Sequence, residues 1–258
     1  MLKRSFPALI FLLATVRLVA QTPLRVAAAA DLEPVLPPLL AQFEQQTGIH
    51  AEATFQASAA LTTLIQNGAP FDVFLAADLG YPKRLMDAGL ADSAGLADTS
   101  APVTYAKGTL VLWTRKDAHL PPPSLALLSD PGLKRLAVAN PDRAPYGKAA
   151  VTALQNLKLY GALQARIVTA ENIAQTAQFV DSGNADAGLI SLTSALTAKL
   201  TADGSYFVIP RDLYPPIEQG AVVVKASTQR DAAQKFLAFL LSAAVQAELA
   251  KSGLTPVK

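Results

Sequence analysis

Cysteine is absent from all 258 residues, and histidine occurs only twice. The first absence excludes disulfides and thiolate metal sites. The second leaves His50 and His119 with no partner His or Cys at metal-ligand spacing, so both read as structural or solvated, and no directly coordinated metal is expected. No GxSxG elbow, no GxxxxGK[ST] loop and no HExxH pair occurs. Hydrolase, nucleotide and zinc-protease chemistries therefore have no foothold. Short-period repeats and low-complexity segments are missing too. So is an excess of base: the chain is formally +2, but Lys3, Arg4 and Arg17 lie in its first 20 residues. Without them 19 basic residues face 20 acidic ones, about −1. Binding to nucleic acid by phosphate neutralisation needs clustered Lys and Arg, and none is expected.

What is present begins with a leader. Lys3 and Arg4 precede the apolar run from Ala8 to Val16, and a small residue stands at Ala20. That is the layout of a secretory signal peptide. The run is short for a permanent span, which needs about 20 residues, and no cysteine is available for a lipid anchor. The expectation is a signal peptide over 1–20 and a soluble, periplasmic mature chain. About 238 residues remain, enough to bury a core without staples.

The mature chain reads as strands alternating with helices. Leu24 to Ala30 is a small-residue apolar strand. A helix starts at Asp31-Leu32-Glu33-Pro34 and ends at Gly48, with Pro37 and Pro38 implying an irregular first turn or a kink. Ile49 to Phe55 is a strand, Ser58 opens a helix to Asn67, and Phe71 to Ala76 is a third strand. This β-α-β-α-β order predicts a mostly parallel sheet flanked by helices. A second set follows, with strands at Gly108–Thr114, Leu136–Ala139, Arg166–Val168 and Ala187–Ile190, and helices at Tyr146–Leu157, Ile173–Asp181 and Ser191–Leu200. Ala221–Val224 returns as a strand, and Asp231–Lys251 reads as a helix or helix pair. No Ser/Gly-rich linker divides the halves, which favours lobes joined by strands.

Asp72 and Asp78 flank a strand and read as turn and cap residues more readily than as a catalytic pair. The richer pattern is a set of strand-to-helix junctions at Asp31, Ser58, Tyr146, Ile173 and Ser191. Open α/β sheets bind ligands at the carboxyl ends of their strands. The first amides of a helix have no intrahelical acceptor, and the helix dipole favours an anion there. Several such ends, converging from two lobes, make an anion site without any Lys or Arg.

These residues resemble the periplasmic molybdate-binding proteins of ABC importers, which have the type II periplasmic binding fold. The carrying segments are VAAAADL (26–32), GAPFDVFLAAD (68–78), LAVANP (136–141) with PYG (145–147), ENI (171–173) and AGLIS (187–191). The resemblance implies an α/β, two-lobed protein: lobe 1 from 21–105 plus 218–258, lobe 2 from 106–217, joined by two crossing strands near Tyr105–Lys107 and Glu218–Gly220. It implies a monomeric carrier, not an enzyme and without a cofactor, that holds molybdate or tungstate between its lobes and delivers it to a membrane permease. Carried over by position, the oxyanion shell is Asp31, Ser58, Tyr146, Ile173 and Ser191, with Ala30 and Ala59 as neighbours whose amides can help. Ser191 stands where some members carry a tyrosine.

Asp31 departs from the serine that many members have. A carboxylate about 5 Å from a dianion is opposed by roughly 7 kcal/mol at an effective dielectric near 20. The expected solution is a carboxylate that turns away and caps the following helix. A protonated Asp31, or an ion whose proton Asp31 accepts, are the other solutions. The last keeps phosphate, sulfate or another anion as an alternative ligand. An extracytoplasmic enzyme using Asp72 or Asp78 is a further alternative; a cytoplasmic sensor is disfavoured by the leader.

Overall fold

The computed structural model describes residues 22–96 and 100–257; the expected signal peptide lies outside them. Eleven strands and ten α-helices are formed among these residues. The first half runs β1 (Leu24–Ala29), α1 (Leu36–Thr47), β2 (Ala51–Gln56), α2 (Ser58–Gln66), β3 (Val73–Ala76), α3 (Gly80–Asp87), β4 (Ala91–Asp92), β5 (Val103–Gly108) and β6 (Leu110–Arg115). It continues with β7 (Leu136–Ala139), α4 (Pro145–Asn156), α5 (Tyr160–Leu163), β8 (Ile167–Ala170), α6 (Ile173–Asp181) and β9 (Ala187–Ser191). The remainder is α7 (Leu192–Ala195), α8 (Ala198–Asp203), β10 (Gly204–Val208), β11 (Ile217–Val224), α9 (Arg230–Leu240) and α10 (Ala243–Lys251).

Two sheets result. The six-stranded sheet has the order β2-β1-β3-β11-β4, with β5 also on β11; the five-stranded sheet has the order β10-β6-β9-β7-β8. Each is mixed. β1, β2 and β3 are parallel, as are β7, β8 and β9, whereas β11 and β6 run antiparallel to their neighbours. The parallel triplets carry the site, because their carboxyl ends lead into helix starts.

Local chemistry explains the boundaries. Pro37 and Pro38 lie in the first turn of α1, where a missing N–H costs no helix bond, so the helix is not kinked. Gly48 ends it with a positive φ of 70°. The helix expected over Ser191–Leu200 is two pieces, because Thr197 caps a new start at α8. The C-terminal stretch is a pair, broken where the Ser242 side chain accepts from the Val245 amide.

The chain passes between sheets at two places. Only Thr109 separates β5 of one sheet from β6 of the other. The return follows Tyr214, whose hydroxyl accepts from the Leu110 amide at 3.1 Å. β5 and β11 pair there, Lys107 opposite Glu218 and Ala106 opposite Gln219, with a register shift after Gln219. One apolar core lies under α1, α9 and α10 around Phe43, Phe236 and Phe239. A second lies against α4, and Ala29, Ala30 and Ala77 join it from the six-stranded sheet, so the two halves share a seam.

Candidate functional site

Four chain turns meet at that seam. A single 3-10 turn over Ala30–Leu32 follows β1, and α2, α4 and α6 start at Ser58, Pro145 and Ile173. Ala30, Asp31, Ser58, Tyr146, Asn172 and Ile173 all line one narrow cavity of about 10 Å³, the room of roughly one water molecule. Among the described residues no lysine, arginine or histidine lines it. The donors available to a ligand are therefore helix-end amides and hydroxyls.

Each start is held in place by its own sequence. Pro145 carries no N–H, so Tyr146 supplies the first amide of α4. Gly147 lets α4 begin against β7: a Cβ there would stand 2.2 Å from the Ala139 carbonyl oxygen. Asn172 caps α6, its Oδ1 accepting from the Gln175 amide at 2.9 Å, which leaves the Ile173 amide outside the cap. Ser58 Oγ accepts from the Ala77 amide at 3.1 Å. Its single proton is then free to be donated.

Ser191 and Ala59 are placed differently from the expected shell. Neither is among the residues lining the cavity. The Ala59 amide donates to the Arg143 carbonyl at 3.2 Å, across the seam. Ser191 caps α7, accepting from the Ser194 amide at 3.3 Å. Its Oγ lies 2.8 Å from Thr193 Oγ1, which lies 2.7 Å from the Asp31 carbonyl oxygen. A carbonyl only accepts, so Thr193 donates to Asp31 and Ser191 donates to Thr193. The Ser191 proton is committed to that chain. Thr193 had no signal in the sequence beyond its nearness to Ser191.

Asp31 overturns the capping expectation. It lies inside the 3-10 turn, and neither that turn nor α1 after it has a side-chain cap bond at its start. The residue is fully buried. The Tyr146 hydroxyl donates to Oδ2 at 3.2 Å, and the Gln219 side-chain amide donates to the same oxygen. Asp31 Oδ1 and Gln219 Oε1 are buried without a partner. Burial pushes the carboxyl up to about 7, against the smaller opposing effect of these donors. Burial, followed by the nearby Asp31 charge, also holds the Tyr105 and Tyr146 phenols well above their ordinary value. Tyr146 reaches Asp31 past Gly108, where a Cβ would stand 2.2 Å from the Tyr146 hydroxyl. Gln219 stood in the sequence as part of a crossing strand, and its side-chain role is visible only in the fold.

The other candidates lie elsewhere. Asp72 accepts from the Arg25 amide and from Ser227 Oγ at 2.8 and 2.6 Å, tying β1 and β3 to the segment before α9. Asp78 accepts from the Tyr81 amide at 3.0 Å at the start of α3, and burial raises its carboxyl. β3 separates the two aspartates, which places them roughly 15–20 Å apart at the extended-chain rise. That is too far for a shared proton. His50 pairs with Glu44 and Glu52 on the surface. Among the described residues no group of three His, Asp or Glu side chains is arranged to hold a metal ion, and no helix is long and apolar enough to cross a membrane.

Comparisons with known proteins fall on this architecture. The family profile described as bacterial extracellular solute-binding protein matches residues 24–255. The molybdate-binding protein ModA of Azotobacter vinelandii is 37% identical over 216 residues, 84% of this chain and 83% of that one. The ModA of Rhodobacter capsulatus is 35% identical over 214 residues, 83% and 81% of the two chains. The solved structure of the A. vinelandii periplasmic molybdate-binding protein superimposes with a TM-score of 0.81 at 32% identity, covering 91% of this chain and all of that one.

Proposed function

The chain belongs to the bacterial extracellular solute-binding proteins, and on that premise we propose that it captures molybdate between its two lobes and hands it to the permease of an ABC importer. The observation that carries the reading is the cavity at the seam, where helix starts from both sheets converge and no cationic side chain takes part. A dehydrated dianion is held there by dipoles and hydroxyls. The ModA relatives support molybdate as the ion.

In this reading Ser58 gives its hydroxyl and amide, and Tyr146 and Ile173 give backbone amides. Ala30 and Asp31 present the amides of the turn after β1. Ser191 acts through Thr193 on the Asp31 carbonyl instead of touching the ion. The lobes are 21–105 with 218–258, and 106–217; β5 and β11 act as the hinge. Residues 1–20 direct export, and the carrier works as a monomer in the periplasm. Tungstate, of like shape and charge, is held by the same donors. Sulfate is smaller, so some donors lose contact, and a buried donor left unpaired costs about 1–3 kcal/mol.

Thermal unfolding against molybdate, tungstate, sulfate and phosphate tests the reading. An ion at about 1,000 times its Kd adds roughly 4 kcal/mol to the folded state, enough to raise Tm by several degrees. Molybdate and tungstate are expected to give that shift. A shift with phosphate alone, or with none of the four, overturns it.

A further inference from the structure

The Asp31 carboxyl has an uneven hydrogen-bond environment. Both of its side-chain donors, Tyr146 and Gln219, meet Oδ2. Oδ1 and the neighbouring Gln219 Oε1 are acceptors with nothing to accept. A proton on Oδ1 would turn one of these two orphan acceptors into a donor. No side chain around the carboxyl supplies one. β5 presents Tyr105, α4 presents Tyr146 and β11 presents Gln219, while Thr193 of α7 and Ser191 of β9 are engaged at the Asp31 backbone carbonyl. Of the charged residues on or beside elements packed against this turn, Glu33 is exposed, Glu52 of β2 pairs with His50, and Asp181 at the far end of α6 pairs with Lys199. On the crossing strands Lys107 pairs with Glu218 at 2.9 Å on the surface. The carboxyl therefore faces the cavity end of β1 with no cation among the described residues to offset it.

We propose that Asp31 is a neutral acid whenever the ion is held, so that capture of each dianion brings one proton into the closed site, with Tyr146 and Gln219 as the residues that position the carboxyl. The proposal rests on the oxyanion-carrier reading and adds a linkage to it. Burial in the closed form already favours the neutral acid, and a dianion beside it favours it further. In the open form, parting Tyr146 from Asp31 lets water reach the carboxyl, and its proton affinity falls. Between those two affinities, binding and protonation are coupled. The incoming proton is taken from solvent onto Oδ1, and no bond to the ion is made or broken. The consequence is an affinity set by pH. The carrier loads more tightly in an acid periplasm and releases more readily where the lobes are opened at higher pH.

Isothermal titration of the purified protein with sodium molybdate at pH 6, 7 and 8, in buffers of different ionisation heat, reads the proton count directly. The expected result is uptake of up to one proton per ion and an affinity that falls by as much as tenfold per pH unit. Asp31→Asn is expected to abolish the proton uptake and flatten the profile. Tyr146→Phe and Gln219→Leu each remove a donor to Oδ2, and are expected to move the fall in affinity to higher pH, which a purely structural role would not do. Molybdate binding by the unaltered protein with no proton uptake and one affinity across this range overturns the linkage and leaves the carrier reading standing. No binding of molybdate at any pH overturns the carrier reading and the linkage with it.

Discussion

Asp31 concentrates the energetic conflict of this protein in one side chain. In the unfolded chain its carboxyl titrates near the ordinary 3.8, whereas burial raises it to about 7 in the fold. A raised acid favours the folded state fully below the unfolded value and loses that advantage as pH climbs toward the folded one. Stability should therefore decline between about pH 4 and pH 7 and then level off, by on the order of 4 kcal/mol for a shift of this size. Asp31→Asn removes the titration. Urea unfolding of both proteins across pH 4–8 should give curves that diverge over that window, with the wild type falling; parallel curves would mean that the carboxyl is not buried as an acid. The sequence marked Asp31 as the odd residue at its junction. It did not reveal the solution, because Tyr146 and Gln219 are 115 and 188 residues away along the chain.

At the scale of elements, function depends on where helices begin. α6 illustrates the economy of the arrangement. Asn172 caps it, the cap takes the third amide, and the Ile173 amide is left at the cavity. Asn172→Ala should cost about 0.5–2 kcal/mol of stability, as cap removals do. It should also weaken molybdate binding, because the Ile173 amide loses its fixed direction. Calorimetric unfolding checks the first effect and titration the second; a stability loss with unchanged affinity would remove α6 from the ion's shell. These starts were legible beforehand because capping and proline placement are local: α6 runs from Ile173 to Asp181 as expected. β5 and β10 were not legible as strands. Val103–Gly108 carries a lysine and two glycine or alanine positions, and its strand form is imposed by pairing with β11.

The whole molecule is held shut by few bonds across the seam. The Tyr81 hydroxyl donates to the Asp142 carbonyl at 3.3 Å, the Ala59 amide to Arg143, and Thr193 to the Asp31 carbonyl. Tyr146 to Asp31 is a fourth. Against the shared apolar seam these make closure a modest preference that an ion can complete. Thr193→Val deletes one of them while keeping the side-chain volume. It should leave the Asp31 carbonyl short of a partner, while Ser191 keeps Ser194, shift the population toward the open form, and weaken molybdate binding about five- to tenfold, from the ~1 kcal/mol of one hydrogen bond. Small-angle scattering with and without molybdate should show a compaction that needs more ion in the variant. Equal affinity and equal scattering in the two proteins would mean that Thr193 plays no part in closure.

Sequence alone determined the alternation of strands and helices, the poverty of catalytic side chains and the junctions at Ser58, Tyr146 and Ile173. All of these rest on neighbours within a few residues, where propensity, capping and hydrophobic period act. Tertiary structure alone decided which junctions reach the cavity, why Ser191 turns to Thr193 instead, and how Asp31 is held. Those outcomes depend on contacts between residues more than 100 positions apart, brought together by β5 and β11, and no local rule encodes which oxygen a distant donor will meet.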